Sequence, residues 1–144
     1  MKRRFVIGMY AFILCGIMTM MSSCSEIKLK AAVEAANSQC PMSLGFAGEL
    51  TKISYDDDLV VFAITMDESI VDIDMMADNP DIMKAAIKTM LANAGDEAGV
   101  LIDMIIDANA NLCFKYIGRK SGKEASIILR ASELKEMRTV PYTN

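Results

Sequence analysis

The pattern of apolar and polar positions divides the chain into two strand-rich stretches with a helical stretch between them. Residues 59–66 (LVVFAITM) are apolar almost throughout and rich in β-branched side chains, which is typical of a strand. The residues before them alternate imperfectly, and an acidic turn at residues 56–58 joins the two runs. A second pair of alternating runs flanks the polar turn at residues 119–123. These patterns predict two β-hairpins, over about residues 50–66 and 111–130.

Apolar side chains at helical spacing predict four helices, one before the first hairpin and three between the hairpins. Ser69 and Asp72 form a Ser-x-x-Asp variant of the capping box, which favours a helix that begins near Ser69. Pro80 suits the first position of the next helix, because the N–H that it lacks would have no helical partner there. A short final helix can begin at Ser132. The four main helices are expected over about residues 25–39, 70–77, 80–94 and 96–109.

Hairpins that are separated from a block of helices indicate an α+β fold with an antiparallel sheet, and not a βαβ fold. We predict that the two hairpins form this sheet and that the helices pack against it. A chain of 144 residues suits one domain, which we place at residues 24–144 with a short mobile C-terminal tail near Pro141.

The first 23 residues have the pattern of a secretory signal. Lys-Arg-Arg at residues 2–4 precedes a stretch without charge at residues 5–21. A retained membrane anchor is one alternative, although 17 uncharged residues fall short of the roughly 20 that cross a bilayer. A signal that is cleaved without lipidation is the other alternative.

The end of this segment, Met21-Ser22-Ser23-Cys24, resembles the lipobox of bacterial lipoproteins. In that family the cysteine thiol receives a diacylglycerol, and signal peptidase II cuts just before the cysteine. The resemblance implies that residues 1–23 are removed as a signal peptide and that Cys24 becomes the acylated first residue. The membrane is then a partner of the protein through the lipid on Cys24.

Three further segments resemble small lipoproteins of Bacteroidota-type bacteria: residues 37–42 (NSQCPM), 61–64 (VFAI) and 112–116 (LCFKY). Those proteins look like a single domain after a lipobox and have no assigned activity, so the resemblance implies no catalytic residue. In enteric lipoproteins an aspartate after the acylated cysteine is the signal for retention in the inner membrane. Ser25 follows Cys24 here. We therefore predict anchoring in the outer membrane of a Gram-negative envelope, on either its periplasmic or its surface face.

Charge and composition exclude several kinds of function. Residues 1–23 hold three of the 15 bases and none of the 19 acids, so the net charge falls from −4 for the full chain to −7 for residues 24–144. A chain this acidic lacks the cationic surface that nucleic acid requires. Without histidine it has no Ser-His, Cys-His or histidine–metal arrangement, and we expect neither a metal nor a cofactor.

Four cysteines are present, of which Cys15 would be removed with the signal and Cys24 would be acylated. The remaining pair, Cys40 and Cys113, is compatible with one disulfide in an exported protein. Two free thiols that pack as small apolar side chains are the alternative. The sequence leaves this choice open.

The acidic residues supply the candidates for catalysis. Paired carboxylates can hydrolyse a glycosidic bond when one of them is kept protonated. Helix caps and turns also account for many acids, and the clusters lack the central glycine of a calcium loop. We therefore predict a non-enzymatic, membrane-tethered binding or accessory module for an unknown ligand or protein partner. The alternative is a small envelope hydrolase that would draw on Asp67, Glu68, Asp72, Asp74, Asp103 and Asp107.

Replacement of the lipobox cysteine tests the predicted anchor. A Cys24→Ala variant is expected to stay unprocessed and to carry no acyl label, because the Cys24 thiol is the predicted acceptor of the lipid. Metabolic labelling with a palmitate analogue and mass spectrometry of the N-terminus measure the two effects. Cys40→Ala leaves the lipobox intact and serves as the control, which should be processed and labelled. Normal processing and labelling of Cys24→Ala would overturn the prediction.

Overall fold

The computed structural model describes residues 24–46 and 48–139, with only the backbone of Thr139. The predicted signal segment and the predicted C-terminal tail lie outside the described residues. Within them the chain forms five helices and one five-stranded sheet. In chain order the elements are α1 (24–37), β1 (Met42–Ser43), β2 (Gly48–Asp56), β3 (Leu59–Met66), α2 (Ile73–Asp78), α3 (Pro80–Ala92), α4 (Asp96–Asp107), β4 (Asn111–Gly118), β5 (Glu124–Leu129) and α5 (Ala131–Thr139).

Both predicted hairpins are present. Strands β2 and β3 pair antiparallel, and so do β4 and β5. Asp57 and Asp58 close the first hairpin with φ angles of 47° and 57°. Two successive residues in the left-handed region match the primed turns whose twist fits a hairpin, and aspartate is one of the few side chains that adopts this region. The acidic run at this turn therefore has a conformational role.

The two hairpins join through a parallel pair, which the predicted antiparallel sheet did not include. Strand β3 runs parallel to β4, with Leu59 opposite Asn111 and Met66 opposite Gly118. The sheet order is β1-β2-β3-β4-β5, so it is a mixed sheet in an α+β fold. A parallel neighbour requires a crossover, because the chain must return to the starting end of β3 before β4 can begin. Helices α2, α3 and α4 are that crossover.

All five helices cover the same face of the sheet. The inner face carries Val60 and Ile64 of β3 and Leu112 and Phe114 of β4, which share one core with buried residues of every helix. The outer face carries the alternate positions, and its Ser126 and Ile128 are exposed. The helix side chains in the shared core are Leu29, Val33, Ile73, Met76, Ile87, Ile105 and Leu134.

The start of α2 differs from the prediction. The helix begins at Ile73 because the Asp72 carboxylate accepts a hydrogen bond from the Met75 N–H at 3.2 Å and caps it. Ser69 does not cap a helix; its hydroxyl donates to the Asp67 carboxylate at 2.7 Å. The predicted capping box was therefore wrong, since an aspartate two residues earlier competes for the serine. The predicted start at Pro80 is confirmed.

The single core makes the last helix essential to stability. Leu134 of α5 has no exposed surface. Leu134→Ala is expected to lower the free energy of unfolding by about 2–5 kcal/mol, because it removes buried methyl groups and leaves a void. Urea denaturation followed by circular dichroism measures the change. Ile82→Ala is the matched control, because the Ile82 side chain is 68% exposed, and it should change stability by less than about 0.5 kcal/mol. Equal stability of the two variants would contradict the described packing.

Candidate functional site

An apolar cleft of about 420 Å³ lies between the inner face of the sheet and helices α3 and α4. Strands β2, β3 and β4 form its floor, and Leu44 of the loop after β1 lies at its margin. This volume falls within the range of about 300–1,000 Å³ that is usual for ligand pockets. The helical wall consists of Met90, Leu91, Ala98, Leu101, Ile102 and Ile105.

The lining of the cleft carries no charged side chain. Tyr116 on β4 contributes the one side-chain hydroxyl among the lining residues. Burial raises the pKa of this hydroxyl, so it stays protonated and neutral. The cleft therefore offers neither an ionised base nor a nucleophile to a substrate. It suits the burial of apolar groups.

Three small residues leave this space unfilled: Gly48, Ala94 and Ala98. Position 48 has no room for a side chain, because β2 and β3 approach closely there. A Cβ atom at this position would lie 2.8 Å from Met66 Sδ and 2.9 Å from the Thr65 carbonyl oxygen. Ala94 lies in the link between α3 and α4, Ala98 lies on α4, and the side chains of both end at Cβ.

The mouth of the cleft has an apolar rim. Leu44 and Met90 line the cleft and are about half exposed. Phe46, two residues beyond Leu44, is 84% exposed. Exposed apolar residues that are grouped around a concave surface are typical of an interaction site, whereas scattered ones are ordinary.

The sequence pattern does not predict this cleft. Leu91, Leu101 and Ile105 recur at helical spacing, which places them on the apolar faces of two helices, and in the structure all three pack in or against the core. The available signal was the combination of small residues on those faces, Ala94 and Ala98, with an apolar loop that has no strand pattern. Neither feature shows where two elements fail to touch.

The predicted lipid acceptor, Cys24, is exposed at the first described position of α1. The lipobox residues before it lie outside the described residues, so acylation stays a prediction. Over the described part of the chain, no helix has the length and apolarity needed to span a bilayer.

The two cysteines that could have formed a disulfide are both free thiols. Cys40 packs against the core that faces the helices. Cys113 is opposite Val61 and Ile128 on the outer face of the sheet, so the sheet lies between the two thiols. Burial raises the pKa of the Cys113 thiol and keeps it protonated. The structure therefore supports the alternative of two free thiols.

Glu68, one of the candidate catalytic acids, connects the start of the helical crossover to the β4–β5 turn through hydrogen bonds. Its carboxylate accepts hydrogen bonds from the N–H groups of Lys120 at 2.8 Å and Ser121 at 2.9 Å, and from the Ser121 hydroxyl. These bonds, the hydroxyl first, hold the pKa of Glu68 below its usual value. The carboxyl group is therefore ionised near neutral pH and cannot act there as a general acid.

Asp72 and Asp74 lie with Glu68 around a small depression of about 160 Å³ that also contains Lys123. The structure thus brings three of the six predicted acids together. Asp72 caps α2, and Asp74 forms an ion pair with Lys123. Each carboxylate around the depression already holds a structural contact, so the group lacks a free acid–base pair.

The other three candidate acids lie apart from this depression. Asp67 accepts hydrogen bonds from the N–H and the hydroxyl of Ser69, which lower its pKa. Asp103 on α4 pairs with Arg138 on α5 at 2.8 Å, and Asp107 is exposed near the end of α4. Within the described residues, no group of three or more acidic or cysteine side chains is placed to hold a metal ion.

No family model and no curated protein matches the sequence. Solved structures share the fold. A Pseudomonas aeruginosa protein described as secreted is 12% identical, with 76% of this chain and 96% of that protein covered and a TM-score of 0.56. Its bacterial group differs from the Bacteroidota-type lipoproteins that the sequence resembles, and that resemblance stays a prediction.

Two further structures with this fold are pilotins of type 2 secretion systems. EpsS from Vibrio vulnificus is 10% identical, with 78% of this chain and 94% of the pilotin covered and a TM-score of 0.57. AspS from Vibrio cholerae is 11% identical, with coverages of 81% and 97% and a TM-score of 0.54. At these identities the likeness establishes a shared fold.

A thiol count tests the placement of the cysteines. Protein isolated from cell envelopes under alkylating, denaturing conditions is expected to carry an alkyl group on both Cys40 and Cys113, because the two thiols lie on opposite sides of the sheet. In the native protein Cys40 should react faster than Cys113, whose thiol is buried and has a raised pKa. Peptide mass spectrometry measures both results, with a prior reduction step as the control. Alkylation only after reduction would establish the disulfide instead.

Proposed function

We propose that this protein is a non-enzymatic accessory module of the cell envelope, anchored by a lipid on Cys24. Its cleft holds an apolar segment of a protein partner. The observation that carries the proposal is the open, uncharged cleft between the sheet and helices α3 and α4. Burial of apolar surface contributes about 25 cal/mol per Å². A partner that fills the cleft therefore stabilises the complex without hydrogen bonds or ion pairs.

The partner segment is a helix. The lining of the cleft consists of side chains and presents no free strand edge, because β2 and β4 each have a neighbouring strand on both sides at the floor. A segment that enters an apolar site must satisfy its own backbone hydrogen bonds, and a helix does so internally. An amphipathic helix that lays its apolar face in a groove is a common mode of recognition.

Helix α1, which carries the proposed lipid anchor, and the mouth of the cleft lie at different halves of strand β2. Helix α1 contacts the second half of that strand, where the Asn37 carboxamide accepts a hydrogen bond from the Ile53 N–H at 2.9 Å. The Glu26 carboxylate also helps to raise the pKa of Tyr55, after burial as the main cause. The cleft uses the first half, at Gly48 and Leu50. A lipid on Cys24 therefore leaves the mouth accessible.

The fold shared with two type 2 secretion pilotins supports an accessory role in the envelope. Ser25 after the acylated cysteine supports the outer membrane as the location, because enteric lipoproteins retained in the inner membrane carry an aspartate at that position. The structural contacts of Glu68, Asp72 and Asp74 count against the alternative of a carboxylate hydrolase. No catalytic residue is assigned.

A cleft-filling variant tests the proposal. The probe is a synthetic helix of about 18 residues, five turns, with a leucine face, uncharged polar residues and one tryptophan. This chain contains no tryptophan, so the fluorescence of the probe reports its burial alone. Ala98→Phe is expected to weaken binding at least tenfold, because the ring occupies the cleft. Ala86→Phe, at an exposed position of α3, is the matched control and should bind like the native protein. Equal binding by both variants would show that the cleft is not the site.

Ala98→Phe must also fold for that comparison to hold. The added ring enters empty apolar space, so the melting temperature of the Ala98→Phe variant is expected to equal or exceed that of the native protein. Circular dichroism during heating checks this point. A lower melting temperature, together with lost binding, would transfer the test to Ala94→Leu, which narrows the cleft from the link between α3 and α4.

A further inference from the structure

The two chain segments beside the mouth of the cleft contain no basic residue. One is the β1 region at residues 40–51, and the other runs over residues 89–114 through α4 into β4. The chain as a whole carries 15 lysine and arginine residues in 144 positions. The two segments nevertheless contain five acids: Glu49, Asp96, Glu97, Asp103 and Asp107.

Two of these acids are neutralised by residues from other elements. Asp103 pairs with Arg138 at 2.8 Å, and Glu49 lies 3.6 Å from the Arg119 guanidinium. Arg119 follows β4, and its N–H donates to the Met66 carbonyl. Neither of these two ion pairs includes an acid from the first turn of α4.

Asp96 and Glu97 form that first turn, and both are exposed. Neither takes part in an ion pair with any other described residue. They lie between Ala94 and Ala98, which both line the cleft. The helix dipole favours acids at this position, but it does not account for the lack of bases on both sides of the mouth.

From this charge distribution we infer that the mouth of the cleft selects a partner helix that carries lysine or arginine beside its apolar face. The inference rests on the proposed function, because it specifies the helix that the cleft holds. A basic residue next to the buried face would reach the carboxylates of Asp96 and Glu97 while the apolar face occupies the cleft. The same carboxylates repel the headgroup of an anionic lipid. Charges around an interface act in this way on partner choice and on association rate.

Three probe helices that share one leucine face and one tryptophan test the inference. They differ in the residues beside that face, which are lysine, glutamine or glutamate. Binding is measured by tryptophan fluorescence with the protein expressed from its complete chain and held in phosphatidylcholine nanodiscs, and empty nanodiscs give the background. We expect the lysine helix to bind at least tenfold more tightly than the glutamate helix at low salt. The preference should shrink severalfold in 1 M salt, where the screening length is about 3 Å.

Two charge-neutralising variants locate the effect. Asp96→Asn/Glu97→Gln is expected to remove most of the preference for the lysine helix and to leave binding of the glutamine helix within twofold. Asp78→Asn/Asp81→Asn removes the same charge from exposed positions around the start of α3, away from the cleft, and should keep the preference. Loss of the preference in both variants would assign it to net charge and overturn the inference.

The remaining outcomes separate this inference from the proposed function. Equal binding of all three helices, lost in Ala98→Phe, would overturn the charge selection and leave the proposed function standing. Failure of all three helices to bind would overturn both. Laurate serves as the lipid probe. Its binding, if abolished by Ala98→Phe and stronger than that of the lysine helix, would identify an anionic lipid as the occupant and contradict the inference.

Discussion

The parallel pairing of β3 with β4 is the constraint on which the rest of the structure depends. Because these strands point the same way, the chain between them must travel back along the sheet, and it does so as three helices on one face. The terminal helices α1 and α5 join the same layer. In the described chain five helices thus share one side of a five-stranded sheet, and the cleft lies between that sheet and helices α3 and α4. The outer face is left to solvent in the described chain, with Ile128 exposed.

Much of this fold could be predicted from the order of the residues. The apolar run at residues 59–66 and the alternation around residues 119–123 predict both hairpins, because side chains on successive strand residues point to opposite faces. The same pattern does not predict which hairpin edges meet, or in which direction. Residues 59–66 suit a parallel neighbour and an antiparallel neighbour equally well. The predicted start of α2 was wrong for a local reason. Asp67 and Asp72 compete for the hydrogen-bond partners that a capping box would use.

The candidate site likewise has features that the sequence predicts and features that it does not. A lipobox is a local motif, so Cys24 could be proposed as the lipid acceptor from adjacent residues alone. The cleft arises from a gap between Gly48 on one strand and Ala98 on a distant helix, and no short pattern reports such a gap. The carboxylates show the opposite case. Glu68 and Asp74 attract a catalytic interpretation as a sequence cluster, yet their partners are a turn and a lysine about 50 residues away, which only the folded chain reveals.

The same parallel pair decides the order in which the protein can fold as its chain is synthesised from the N-terminus. Strand β3 has β2 as a partner at once, but its other edge stays unpaired until Asn111 and the residues after it arrive. Contacts between residues so far apart in sequence form slowly. During that interval the most apolar strand of the chain presents an open edge, the geometry that promotes pairing between molecules. For this chain the hazard of aggregation is set by the time between the synthesis of β3 and that of β4, and it ends when β4 pairs with β3.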